Sequence, residues 1–135
     1  MEGGITLQLD KRSRKPLYEQ VVYGIKQDIM LGILEVNEKL PSVRELASQL
    51  LINPNTISKA YKQLESEGII MTIRGKGTFV AEQVNTARDE RKVQAIKEKL
   101  IELVVEANYQ QVGEGELLAW IKEAVKSNGG MKNES

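Results

Sequence analysis

A chain of 135 residues with 41% hydrophobic and 28% charged side chains suits one domain with a true core, or a small domain plus an appendage. Histidine and cysteine are both absent, which excludes zinc fingers, imidazole metal sites, Ser-His and Cys-His nucleophiles and any disulfide framework. The net charge is zero, yet 11 basic against 9 acidic side chains fall before residue 82 and 8 against 10 after it, with basic clusters at Lys11–Lys15, at Lys59 and Lys62, and at Arg74 and Lys76.

In chain order, MEGGITLQLD carries no signal-like apolar region, and no later run nears the roughly 18 residues of a membrane span, so a cytoplasmic protein is expected. KRSRK reads first as a solvated, flexible lead-in, with added phosphate contacts beside the first helix as the less favoured alternative. Pro16 opens a helical pattern in which Leu17, Val21, Ile25 and Ile29 fall four apart, and Gly32 stops it. GILEVNEKLP is then a connector. Ser42 and Glu45 have capping-box spacing at the start of a short helix whose buried face is expected from Val43, Leu46, Ala47, Leu50 and Leu51. Asn53 and Pro54 start another, with Ile57, Tyr61 and Leu64 inward and Gly68 as its stop. Asn55, Thr56, Ser58 and Lys59 lie on its open side. Two short helices with a tight turn, the second opening on polar and basic residues, have a helix-turn-helix outline. Ile69–Ile73, a turn over RGKG and Thr78–Ala81 then read as a two-stranded hairpin, placed where a wing would be.

Past Ala81 the pattern changes. Thr86–Asn108 reads as one helix, starting at Thr86 and Asp89, on which Val93, Ile96, Leu100, Leu103 and Ala107 step by 3, 4, 3 and 4 residues. Residues 112–115 break it. Glu116–Ser127 is a second helix with Leu117, Leu118, Ile121 and Val125 inward, and the tail from Asn128 is expected to fray. The heptad seam fits either internal packing or a dimer interface. The dimer is favoured, because a helix pair this far past the hairpin has little other core to join.

RGKGTFV invites comparison with a nucleotide phosphate loop, but the spacing G-x-x-x-x-G-K-[ST] is missing, and strand instead of helix follows. As a hairpin tip, Lys76 suits solvent as well as it suits a phosphate contact. No activated nucleophile or acid–base pair stands out, so neither an enzyme nor a cofactor is expected. The expected fold is mostly α with a small β-hairpin (α+β): a winged helix-turn-helix over residues 1–81, a two-helix dimerisation segment over 82–128 and a tail over 129–135. The runner-up function is a winged helix used as a protein-interaction module, which the neutral charge favours.

PLYEQ at Pro16–Gln20, LPSVRELA at Leu40–Ala47, NPNTISKAYKQLESEGII at Asn53–Ile70 and GKGTFV at Gly75–Val80 together resemble the GntR family of winged-helix bacterial transcription regulators. The short chain is similar to the family's YtrA-type branch, which ends in a helical dimerisation segment. The 54 residues after Ala81 are too few for the larger effector domains of other branches, or for the aminotransferase-like branch with its pyridoxal phosphate. The resemblance implies a dimeric repressor on an inverted-repeat operator in double-stranded DNA, often of its own operon with an ABC transporter nearby. An effector small molecule at the junction with the dimerisation segment is compatible with the resemblance, although no residue marks its site. The DNA-facing positions it implies are Ser42, Arg44, Asn53, Asn55, Thr56, Ser58 and Lys59, with Arg74, Gly75, Lys76 and Gly77 at the wing. Dimerisation would fall to Val93, Ile96, Leu100, Leu103, Ala107, Leu118 and Ile121. Many relatives carry arginine or serine where this chain has Pro54, and an arginine near Ser58, so the base preference is left open.

Overall fold

The computed structural model describes residues 5, 7–82 and 88–127. Its elements are α1 (Leu17–Met30), α2 (Val43–Leu50), α3 (Pro54–Ser66), β1 (Ile70–Ile73), β2 (Gly77–Val80), α4 (Glu90–Tyr109) and α5 (Glu114–Ser127), so the fold is mostly helical with one small hairpin. They fall into two compact units, Met1–Val84 and Asn85–Ser135. Thr86 and the tail from Asn128 lie outside the described residues.

The first unit is built around α3. Ile57, Ala60, Tyr61 and Leu64 form its buried stripe, and α1 adds Val21, Val22 and Ile25, α2 adds Leu46 and Ala47, and the hairpin adds Ile70 and Val80. Burying a side chain of this size contributes about 1.5–3 kcal/mol, so the core rests on interlocking stripes and not on any single contact. The Tyr61 hydroxyl donates to the Pro41 carbonyl at 2.7 Å, tying α3 to the entry of α2. Burial, reinforced by the nearby Glu45 carboxylate, pushes the Tyr61 phenol well above its ordinary range, so it stays protonated as this donor role requires.

Two segments read as plain connections take part in packing. Ile5, Leu7 and Leu9 lie against the core, and a Cβ at Gly24 of α1 would collide with Leu7 Cδ2, so any larger residue there would force the Leu7 side chain to move. In the connector, Leu34 and Leu40 are fully buried. Lys39 bridges to Phe79 in antiparallel fashion, Leu40 N–H donates to the Thr78 carbonyl at 2.8 Å, and Val80 N–H donates to the Glu38 carbonyl at 2.9 Å. The connector thus lies along the free edge of β2 and joins it through a single antiparallel bridge. Pro16 sits at the cap of α1, one place earlier than its role as first helical residue implied, and its carbonyl accepts from Glu19 and Gln20.

Four helices end in one device. The residue after the last turn takes a left-handed conformation, and the next N–H reaches back five residues: Ile33 to Asp28, Ile52 to Ala47, Ile69 to Leu64 and Val112 to Ala107. Gly32 and Gly68 hold the left-handed position in α1 and α3, whereas Leu51 and Gln111 hold it in α2 and α4. The reading of Leu51 as a core residue is therefore corrected. Its φ of 58° turns the side chain out of the helix face, and it is 79% exposed.

In the second unit, Asp89 caps α4 by accepting from Arg91 N–H at 3.0 Å, so the helix starts at Glu90, later than the Thr86 start expected. Helix α5 starts at Glu114, two residues earlier than expected. No residue of α4 or α5 is buried. Leu117 and Val125, expected inward, are half-buried, and Leu118 and Ile121 are exposed. The two helices border a shallow groove lined by Leu100, Val104, Val112, Leu117, Leu118 and Ile121 among others.

Candidate nucleic-acid interface

The starts of α2 and α3 are fixed by caps that leave their outer side chains open. At α2 the box closes in both directions, Ser42 Oγ accepting from Glu45 N–H at 3.1 Å and Glu45 Oε1 from Ser42 N–H at 2.8 Å. Arg44, in that first turn, is exposed. At α3, Asn53 Oδ1 accepts from Asn55 N–H at 2.8 Å, with Pro54 at the first helical position. Ser42 and Asn53 thus have structural duties first, although Ser42 retains its hydroxyl proton and Asn53 its amide N–H groups for a partner. The turn between the helices brings Arg44, Ser48, Asn53 and Pro54 around one shallow cleft, with Leu51 on its rim. Asn55 stands exposed, and Thr56 and Ser58 are half-buried beside it.

In the wing, Ile70 pairs with Val80, Met71 with Phe79, Thr72 with Thr78 and Ile73 with Gly77. Lys76 N–H closes the tip on the Ile73 carbonyl at 2.9 Å. Gly75 has φ 80° and Gly77 φ 124°, backbone angles that other residues adopt only with strain. Arg74, Gly75 and Lys76 are exposed. Over Gly77 runs a side chain the sequence reading missed: a Cβ there would stand 2.8 Å from Lys39 Cε and 3.5 Å from its Nζ. Lys39 therefore joins Arg74 and Lys76 as a third cation at the wing. Only its pairing with Phe79 brings it there, and no local motif announces that.

Lys59 is placed otherwise than as a free phosphate arm, its ammonium lying 4.0 Å from the centroid of the Tyr18 ring at the start of α1. The lead-in is not the flexible segment expected. Gln20 of α1 clamps it, accepting from Asp10 N–H at 2.8 Å and donating to the carbonyls of Asp10 and Lys15 at 3.0 and 2.9 Å. Among the described residues, no carboxylate pairs with Arg12, Arg14, Arg44, Arg74 or Lys76, while Lys26 of α1 pairs with Glu67 at 2.8 Å, away from these positions in the sequence.

The heptad positions on α4 lie open in a single chain: Ile96, Leu100 and Leu103 are exposed, and Val93 and Ala107 are half-buried. The apolar surface is wider than that seam, because Ile101, Val104, Val105 and, on α5, Trp120 are exposed as well. Among the described residues no helix is long and apolar enough to cross a membrane.

A capped helix-turn-helix with an open polar start on its second helix, followed by a hairpin tipped with unpaired cations, defines a winged-helix nucleic-acid-binding protein. Residues 17–80 match the model of the bacterial regulatory proteins of the gntR family. The HTH-type transcriptional repressor YtrA of Bacillus subtilis (strain 168) is 47% identical over 129 residues, covering 95% of this chain and 99% of that protein. Among solved structures, a transcriptional antiterminator from Listeria monocytogenes EGD-e is 35% identical with a TM-score of 0.85, over 95% of this chain and 96% of that one. YtrA from Sulfolobus acidocaldarius, a GntR-family transcription factor, is 32% identical with a TM-score of 0.61, over 71% of this chain and 97% of that one. The chain belongs to the GntR family of bacterial regulatory proteins, and it resembles YtrA-type members along nearly its whole length. It is a DNA-binding transcription regulator and not an enzyme.

Proposed function

We propose that the protein is a homodimeric repressor that acts in the cytoplasm on an inverted-repeat operator, its own operon being the first target to test. The observation that carries this is the second unit: two helices of 20 and 14 residues expose a broad apolar surface and bury no side chain. Helical stability in proteins comes mostly from packing an apolar face, so a second copy packed on α4 and α5 supplies the missing burial. Residues 82–128 are then the dimerisation segment, with Val93, Ile96, Leu100, Leu103, Ala107, Leu118 and Ile121 at its interface, and residues 1–81 are the DNA-binding domain. A two-fold dimer sets its two α3 helices in successive major grooves about 34–36 Å apart. The YtrA relative from Bacillus subtilis, named a repressor, supports the direction of control.

Within each half-site, the exposed guanidinium of Arg44 suits the forked acceptor pair of guanine, and the amide of Asn55 suits adenine. Ser42, Asn53, Thr56, Ser58 and Lys59 border that contact, and Arg74, Gly75, Lys76 and Gly77 of the wing meet the phosphate backbone. The test is an anisotropy titration with duplex from upstream of the gene and a scrambled duplex of equal length. The wild type should prefer the upstream duplex by about 1,000-fold or more. Arg44→Ala should lose about 1–3 kcal/mol on the upstream duplex and little on the scrambled one. Equal wild-type affinity for both duplexes contradicts the operator reading, and an equal loss on both contradicts base reading by Arg44.

A further inference from the structure

The turn Asp10–Lys15 is built more firmly than a solvated lead-in has reason to be. Besides the Gln20 clamp, Asp10 Oδ1 accepts from Arg12 N–H at 2.9 Å, Ser13 N–H donates to the Asp10 carbonyl at 3.2 Å, and Ser13 Oγ accepts from Lys15 N–H at 3.1 Å. These bonds use the turn's short polar groups internally. They leave Lys11, Arg12, Arg14 and Lys15 as four exposed cations on a fixed backbone, and the one carboxylate among them, Asp10, is engaged with the Arg12 amide. Four like charges this close repel, and a locked turn cannot relieve that by extending. An external anion can.

The turn is also seated beside the DNA-reading element. Lys11 Nζ donates to the Leu51 carbonyl at 3.1 Å, at the residue that links α2 to the recognition helix. Lys59 of α3 stacks on Tyr18, two residues past Pro16, so the start of α1 borders the exposed side of α3. Lys15 lies over the Tyr23 ring at 5.2 Å. Two of the four cations thus hold the turn in place. Arg12 and Arg14 have no partner among the described residues.

We propose that this turn is a preorganised phosphate clasp: Arg12 and Arg14 bind backbone phosphates of the operator beside the half-site that α3 reads, and Gln20 is the positioning residue that holds them there. Because the backbone that carries both arginines is fixed before binding, little loop ordering remains to oppose the contact. Phosphate contacts carry no sequence information, so the clasp adds affinity and salt dependence without changing specificity. The inference rests on the operator-binding reading above and deepens it.

The test uses the full chain and the same two duplexes, titrated at several salt concentrations, with Arg12→Gln/Arg14→Gln and the charge-keeping Arg12→Lys/Arg14→Lys. Both side chains are exposed, so thermal melting should be unchanged in either variant. The glutamine pair should weaken binding to both duplexes by a similar factor, at least about tenfold at low salt, and lower the slope of log K against log salt by about 2 per half-site. The lysine pair should retain most of the slope. A duplex trimmed of the phosphates flanking the half-sites should erase the difference between wild type and the glutamine pair. If the wild type prefers its upstream duplex but the glutamine pair keeps wild-type affinity and slope, the clasp is wrong and the operator reading stands. If the glutamine pair loses affinity only for the upstream duplex, the arginines read bases and the clasp is again wrong. A wild type with no preference removes the operator reading itself.

Discussion

Leu51 shows where local chemistry stops being legible. The capping box at Ser42 and Glu45, the cap at Asn53 and the stops at Gly32 and Gly68 could be read because a residue type and its spacing state the hydrogen bonds. The same helix-ending bonds close α2 and α4 on Leu51 and Gln111, residues with no such preference, and there the sequence gives no signal. Gly24 was silent for another reason, since its need for smallness appears only once Leu7 packs across it. A leucine in the left-handed region costs about 1–2 kcal/mol relative to its relaxed backbone, and this one recovers little by burial. Leu51→Gly should therefore raise stability by about 0.5–1 kcal/mol, because relief of that strain exceeds glycine's extra unfolded-state entropy. Urea unfolding with a higher midpoint and an unchanged slope is the expected result. A lower midpoint would show that the exposed side chain does more for packing than its surroundings indicate.

At the scale of elements, the hairpin was written in the alternation and turn residues of Ile69–Ala81, and the structure places β1 and β2 within a residue or so of that reading. The bridge from the connector was not legible, because Lys39 pairs only through contact with Phe79, a residue 40 positions further on. That pairing buries Leu40 and delivers Lys39 to the wing, so the connector contributes to the core and to the charge of the wing together. The lead-in behaves alike: its charge was visible, whereas the clamp that orders it depends on an amide from α1. For the wing tip the expectation is quantitative. Lys76→Ala should weaken binding to all duplexes and reduce the salt slope by about 1 per half-site. Salt titrations that superimpose on the wild type would remove the wing-phosphate contact.

For the whole molecule, the 3-4-3-4 spacing marked an exposed apolar stripe on α4, but it understated the apolar surface. Ile101, Val104 and Val105 fall off the seam, and Trp120 extends the surface onto α5. A seam rule finds a narrow coiled-coil stripe, and a face wider than that stripe suits a partner contributing more than one helix. In the dimer proposed above, two copies joined through α4 and α5 would have affinity for a symmetric site that one winged unit lacks. The most direct measurement is sedimentation equilibrium of the full chain at micromolar concentration, alongside operator binding by the same sample. The wild type should weigh twice the 15.1 kDa chain mass, and Leu100→Glu, which sets a charge on the α4–α5 groove, should weigh one chain and lose tight operator binding. A wild type that sediments as a single chain, yet binds the operator tightly, would contradict the account.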